Sequence, residues 1–100
     1  MSEKQENKDQ SELHTFTLVV SNKMGLHARP AAMIVRITSR YEADIWVTKD
    51  DERINAKSIM GIMMLAAAKG TQLKFETNSP KAEDFEKEMT ELFTAKFQDE

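Results

Sequence analysis

From Thr15 to Val20 the side chains alternate, with Phe16, Leu18 and Val20 on one side and Thr15, Thr17 and Val19 on the other. That period of two predicts a strand with one buried face. Ser21-Asn22-Lys23-Met24-Gly25 breaks the pattern, and Pro30 marks the first turn of a helix, where a missing N–H costs nothing. Ala31, Ile34, Val35, Thr38 and Tyr41 follow at helical spacing, so the first helix is predicted to begin just after His27. Ala43 to Thr48 reads as a strand with Ile45 and Val47 on one face. Lys49-Asp50-Asp51-Glu52 reads as a polar turn, and Arg53 to Ala56 as the short strand that completes a hairpin. Ser58 is a good N-cap for a second helix ending at Lys69-Gly70, with Ile62 and Leu65 inward and glycine as the closing residue. Thr71 to Thr77 alternates again around Leu73 and Phe75. Ser79-Pro80 then reads as N-cap and first residue of a third helix, whose apolar stripe is Ala82, Phe85, Met89, Leu92 and Phe93.

The predicted order is therefore β-α-β-β-α-β-α. Three amphipathic helices and four strands, each with one apolar face, pack most economically as a two-layer α+β open-faced sandwich. Its four-stranded antiparallel sheet is covered on one face by the three helices. Residues 1–13 are too polar to bury a surface that would offset the entropy of ordering, so they read as a flexible tail ahead of one domain, 14–100.

Composition narrows the class. One hundred residues, 40% apolar and 31% charged, suit a single globular core. The longest apolar run, Ile59 to Ala68, is ten residues, half of what a membrane-spanning helix needs. No membrane insertion is expected, and no secretory signal is visible at the polar amino end, so a cytoplasmic protein is expected. Cysteine is absent, which removes disulfides and thiolate metal sites and fits a reducing compartment. The net charge of −3 is unevenly spread. Lys23 to Arg40 holds Lys23, Arg29, Arg36 and Arg40 with no acid, a basic face suited to an acidic protein surface or a phosphate. Nucleic acid is a poor match, because the chain as a whole is acidic and lacks a dense basic stripe.

The candidate chemistry lies in Gly25-Leu26-His27-Ala28-Arg29-Pro30-Ala31-Ala32. It sets a histidine at the amino end of a helix, two residues before an arginine. Backbone N–H groups of the first turn, at Ala28 and Arg29, and the positive end of the helix dipole converge there as an anion site. A neutral imidazole in that place is a nucleophile standing beside the groups that would stabilise its phosphorylated form. Arg29 can add a forked, charge-assisted contact to phosphoryl oxygens, and Arg36, about two turns on, can extend the field toward a partner. The plainer reading makes His27 a helix cap and Arg29 a solvated charge. Glycine, histidine, arginine and proline together at a strand-to-helix junction shift the balance away from it. His14, at the start of the first strand, reads as a surface or edge residue, and neither a metal nor a cofactor is implied. With Ile62 and Leu65 turned inward, Met60, Met63 and Met64 fall on other faces of the second helix and make an apolar patch suited to repacking against several partners.

Gly25-Leu26-His27-Ala28-Arg29-Pro30-Ala31 resembles the active-site signature of the HPr family, carriers of the bacterial phosphoenolpyruvate-dependent phosphotransferase system. A second block, Asn55-Ala56-Lys57-Ser58-Ile59-Met60-Gly61, resembles that family's regulatory serine site at the expected separation, and the predicted element order is also the family's. The resemblance implies that His27 accepts the phosphoryl group on Nδ1 from enzyme I and gives it to IIA domains, and that Arg29 contacts the phosphoryl group. It further implies that Ser58 is the target of an ATP-dependent serine kinase/phosphorylase, and that Ile59, Met60 and Met63 belong to the docking patch. Such a protein is a carrier and a phosphorylated intermediate, not an enzyme in the turnover sense, and a monomer is expected. Two alternatives stay open. One is a regulatory binding module governed mainly by Ser58, whose serine is equally explained as a helix N-cap. The other is the nitrogen-related branch of the family, toward which Asn22-Lys23-Met24-Gly25, Met64-Leu65 and the carboxyl end from Glu91 to Glu100 lean. Lys57-Ser58-Ile59-Met60-Gly61 leans toward the sugar branch instead.

Overall fold

The computed structural model describes residues 13–98, so the expected tail lies, but for its last residue, outside the described residues. The chain forms β1 (His14–Val19), α1 (Ala28–Thr38), β2 (Ile45–Lys49), β3 (Glu52–Asn55), α2 (Ile59–Met64), β4 (Gln72–Thr77) and α3 (Ala82–Thr94). A single tight turn, Lys96–Gln98, follows. The four strands make one antiparallel sheet in the order β1-β4-β2-β3. The predicted β-α-β-β-α-β-α sandwich is the observed architecture.

Register carries apolar residues of β1, β4 and β2 to one face. Phe16 pairs with Phe75, and Phe75 with Val47, and all three are buried. The helices lay their stripes on that face: Ala31, Ile34 and Thr38 from α1, Ile62 from α2, and Ala82, Phe85, Met89 and Phe93 from α3. Aromatic rings tie the layers together. Phe16 stacks on Phe75 at 5.4 Å, Phe75 meets Phe93 edge-on at 5.9 Å, and Phe93 meets Phe97 at 4.8 Å. Burial of such rings is the largest favourable contribution available to a core of this size.

Two helix boundaries differ from expectation. α2 stops at Met64, well before Lys69-Gly70, because Ala66 turns left-handed (φ 51°) and the carbonyl of Ala67 is taken by the N–H of Leu26 at 2.9 Å. Gly70 (φ 94°) instead makes the turn into β4, its N–H bonding the Val20 carbonyl at 2.7 Å. α3 begins at Ala82 and not at Pro80, since the Ser79 hydroxyl accepts the Lys81 N–H at 2.9 Å in a separate local turn before the helix.

Candidate functional site

The loop between β1 and α1 is held along its length by backbone bonds. Val20 donates to Thr71 at 2.9 Å, and the side-chain amide of buried Asn22 donates to the Gly25 carbonyl at 2.9 Å. Gly25 has φ 74°, and a Cβ there would lie 2.6 Å from the Ala67 carbonyl oxygen, so this close approach of two backbones requires glycine. Leu26 then bonds Ala67 and buries its side chain, pinning the chain one residue before the histidine.

His27 is the N-cap residue of α1, in extended conformation (φ −89°, ψ −165°). Its N–H bonds Gly25 and its carbonyl accepts from Ala31, both at 3.0 Å, so the backbone is fixed on both sides while the ring is half-buried. The ring makes no capping hydrogen bond, and the first turn holds no acidic residue. The amide donors of that turn are those of Ala28 and Arg29, because Pro30 has none and Ala31 bonds the His27 carbonyl. An eleven-residue helix with its positive end at this point is suited to an anion.

Arg29 is exposed and its guanidinium donates to the Phe97 carbonyl at 3.3 Å. That acceptor is anchored, since Phe97 is fully buried against Phe93. The carboxyl-terminal turn is thus part of the site, which the sequence reading missed; the signal was Phe97 itself, four residues after Phe93 on the apolar side of a polar stretch. Arg36 is exposed in the last turn of α1, about 13 Å along the helix axis from His27 at 1.5 Å per residue. It does not share the phosphoryl-sized space beside His27.

The second block begins α2. Ser58 is its N-cap, and the hydroxyl accepts the Gly61 N–H at 2.9 Å. Thr38 at the end of α1 donates its hydroxyl to the Ala56 carbonyl at 2.9 Å, which sets the start of α2 against α1. Ile62 and Leu65 point into the core, whereas Ile59, Met60, Met63 and Met64 are exposed. Met24, on the histidine loop, is a further exposed apolar side chain, which the sequence reading did not foresee. His14 opens β1 on the sheet edge, with Nε2 2.7 Å from Oε1 of Glu86 on α3. Among the described residues no helix is long and apolar enough to cross a membrane.

Comparison with known proteins is consistent across three levels. A family model described as "PTS HPr component phosphorylation site" matches residues 14–95. The phosphocarrier protein HPr of Neisseria meningitidis is 42% identical over 81 residues, covering 81% of this chain and 91% of that protein. The HPr-like protein Crh of Bacillus subtilis is 44% identical over 78 residues, covering 78% and 87% respectively. Among solved structures, HPr of Thermoanaerobacter tengcongensis superposes with a TM-score of 0.81 at 41% identity, over 87% of this chain and 98% of that one. The chain therefore belongs to the HPr family of phosphocarrier proteins of the phosphotransferase system.

Proposed function

We propose that this phosphocarrier takes a phosphoryl group from phosphorylated enzyme I onto His27 and gives it to a histidine of IIA-type domains. The observation that carries the reading is the capping position of His27: it begins an eleven-residue helix without its ring capping that helix. The P–N bond to the donor histidine breaks as the bond to His27 forms, and the reverse exchange delivers the group to the acceptor. Little covalent chemistry is left for the carrier, so its contribution is position and charge. The amides of Ala28 and Arg29 and the helix dipole stabilise the phosphoryl oxygens, and Arg29 adds its guanidinium at the cost of a 3.3 Å bond to a carbonyl. Arg36 with Ile59, Met60 and Met63 is the docking face in this reading, an exposed cation together with exposed apolar side chains. The chain itself turns over no substrate.

Ser58 is the regulatory position in this reading, modified by a serine kinase/phosphorylase. Its half-buried hydroxyl lies one residue before exposed Ile59 and Met60, so a phosphate there would set up to about two negative charges on the docking face and oppose the partner that Arg29 and Arg36 attract.

The test is transfer from labelled phosphoenolpyruvate through cognate enzyme I. The wild type should gain an acid-labile label and pass it to a IIA domain, and His27→Ala should gain none. Equal labelling of His27→Ala would overturn the assignment. ATP-dependent, acid-stable labelling that persists in Ser58→Ala would overturn the regulatory half alone.

A further inference from the structure

The chain has seven methionines and no cysteine, so its readily oxidised sulfurs are thioethers. Six lie among the described residues, and they divide sharply. Met89 is fully buried and Met33 packs against the core. Met24, Met60 and Met64 are 72%, 69% and 69% exposed, and Met63 is 38% exposed. Methionine ordinarily fills gaps inside a protein, so this many at the surface calls for a reason.

The exposed group is also localised. Met60, Met63 and Met64 share α2, and Met24 precedes Gly25 and Leu26, the residues packed on Ala67 just beyond α2. His27 is three residues from Met24 on the same pinned loop. The exposed thioethers thus sit on the histidine loop and on the helix that ends just before the loop's anchor at Ala67.

We propose that Met24, Met60 and Met64 are oxidation sites, and that their conversion to sulfoxide by hydrogen peroxide weakens docking of the carrier on its partners. The inference rests on the reading of this face as the docking surface. In the step, a sulfur lone pair attacks one peroxide oxygen. An S–O bond forms as the O–O bond breaks, sulfur loses two electrons, peroxide gains them, and the other oxygen leaves as water. A flexible apolar side chain becomes a polar one with a strong acceptor. Docking would then desolvate that oxygen without a matching donor, a cost that an apolar interface does not recover. The change adds dipoles and no net charge, so its effect should persist at high salt, unlike that of a phosphate on Ser58. Methionine sulfoxide is reversible enzymatically, so the state can be reset.

The test treats the full-length protein with limiting hydrogen peroxide, maps added oxygen by peptide mass spectrometry, and measures label transfer from phosphoenolpyruvate against enzyme I concentration. Met24, Met60 and Met64 should oxidise well before Met33 and Met89. The KM for enzyme I should rise about tenfold or more, with the rate at saturation little changed. Methionine sulfoxide reductases should reverse the rise. Met24→Leu/Met64→Leu and Met60→Leu, each compared with its own untreated rate, should lose less on oxidation, with circular dichroism confirming the fold. Oxidation of Met33 and Met89 as fast as the others, or an unchanged KM after oxidation at the three sites, overturns the proposal. Absence of label on the untreated protein would sink the carrier reading and the switch together. Label on the untreated protein with the same KM for enzyme I before and after peroxide sinks the switch alone.

Discussion

The amino ends of α1 and α2 look alike in outline and differ in what their capping side chains do. Both N-cap residues are extended, His27 at φ −89° and ψ −165° and Ser58 at φ −108° and ψ 115°, and neither first turn contains an acid. Ser58 turns its hydroxyl back onto Gly61 at 2.9 Å, satisfying its own helix. His27 fixes its backbone at both ends and leaves its ring out of the capping role. One capping side chain bonds its own helix, and the other does not. A capping residue that caps serves stability; in the proposed reading, one held in that place without capping serves anion binding.

That contrast can be broken from either side, and the effects should differ in size and kind. Gly25→Ala should be the most damaging, because a Cβ 2.6 Å from the Ala67 carbonyl at φ 74° cannot be relieved without moving the backbone that holds His27. A loss of about 2–4 kcal/mol in urea unfolding is expected, with slower phosphoryl transfer in the protein that remains folded. Arg29→Ala should act on function instead. Removal of an exposed guanidinium should slow transfer roughly tenfold to a hundredfold while changing stability by less than about 0.5 kcal/mol. Ser58→Ala should act on stability. Losing the bond to Gly61 should cost about 1 kcal/mol in thermal unfolding, and the phosphoenolpyruvate-dependent label should still reach His27.

The smallest effect should come from a cluster remote from both helix starts. Tyr41 and Arg40 both donate to the carboxylate of Glu88. Burial, reinforced by the Glu88 hydrogen bond, pushes the Tyr41 hydroxyl up to about 12. Its contribution to stability is therefore complete below pH 10 and is lost as pH rises from 10 toward 12. Burial pulls Glu88 upward, but the hydrogen bonds from Tyr41 and Arg40 outweigh it and hold the carboxyl below its ordinary value. That contribution is present above pH 4.5 and fades as pH falls through the lowered value. Glu88→Gln should cost about 0–1 kcal/mol at neutral pH, since the pair is partly solvated. The gap from wild type should close on acidification, and transfer should be unaffected.

What could be read from the chain alone follows from how local the determinants are. The alternation around Phe16, Ile45 and Leu73 and the helical stripe from Ala31 to Thr38 depend on nearest-neighbour spacing, and the sheet and α1 form where those patterns put them, although Tyr41, the last residue of the expected stripe, lies beyond the helix. The place of His27 depends on Pro30 and Gly25, also local signals. The end of α2 depends on distant partners: Leu26 claims the Ala67 carbonyl, and the Val20 carbonyl claims the Gly70 N–H. No periodicity in residues 59–70 contains that information. The same holds for Phe97, whose carbonyl meets Arg29 only because three aromatic rings pack across the core, and for Met24, whose exposure follows from the turn of Asn22 and Gly25.

The central claim is that a phosphoryl group is held at the start of α1. Nitrogen-15 NMR of the phosphorylated protein tests it most directly, reading the imidazole nitrogens and the backbone amides together. One ring nitrogen of His27 should take the phosphoryl-coupled position, with the amides of Ala28 and Arg29 shifting strongly and that of Gly61 hardly at all. A phosphoryl group on His14, or phosphorylated His27 with unmoved Ala28 and Arg29 amides, would contradict it.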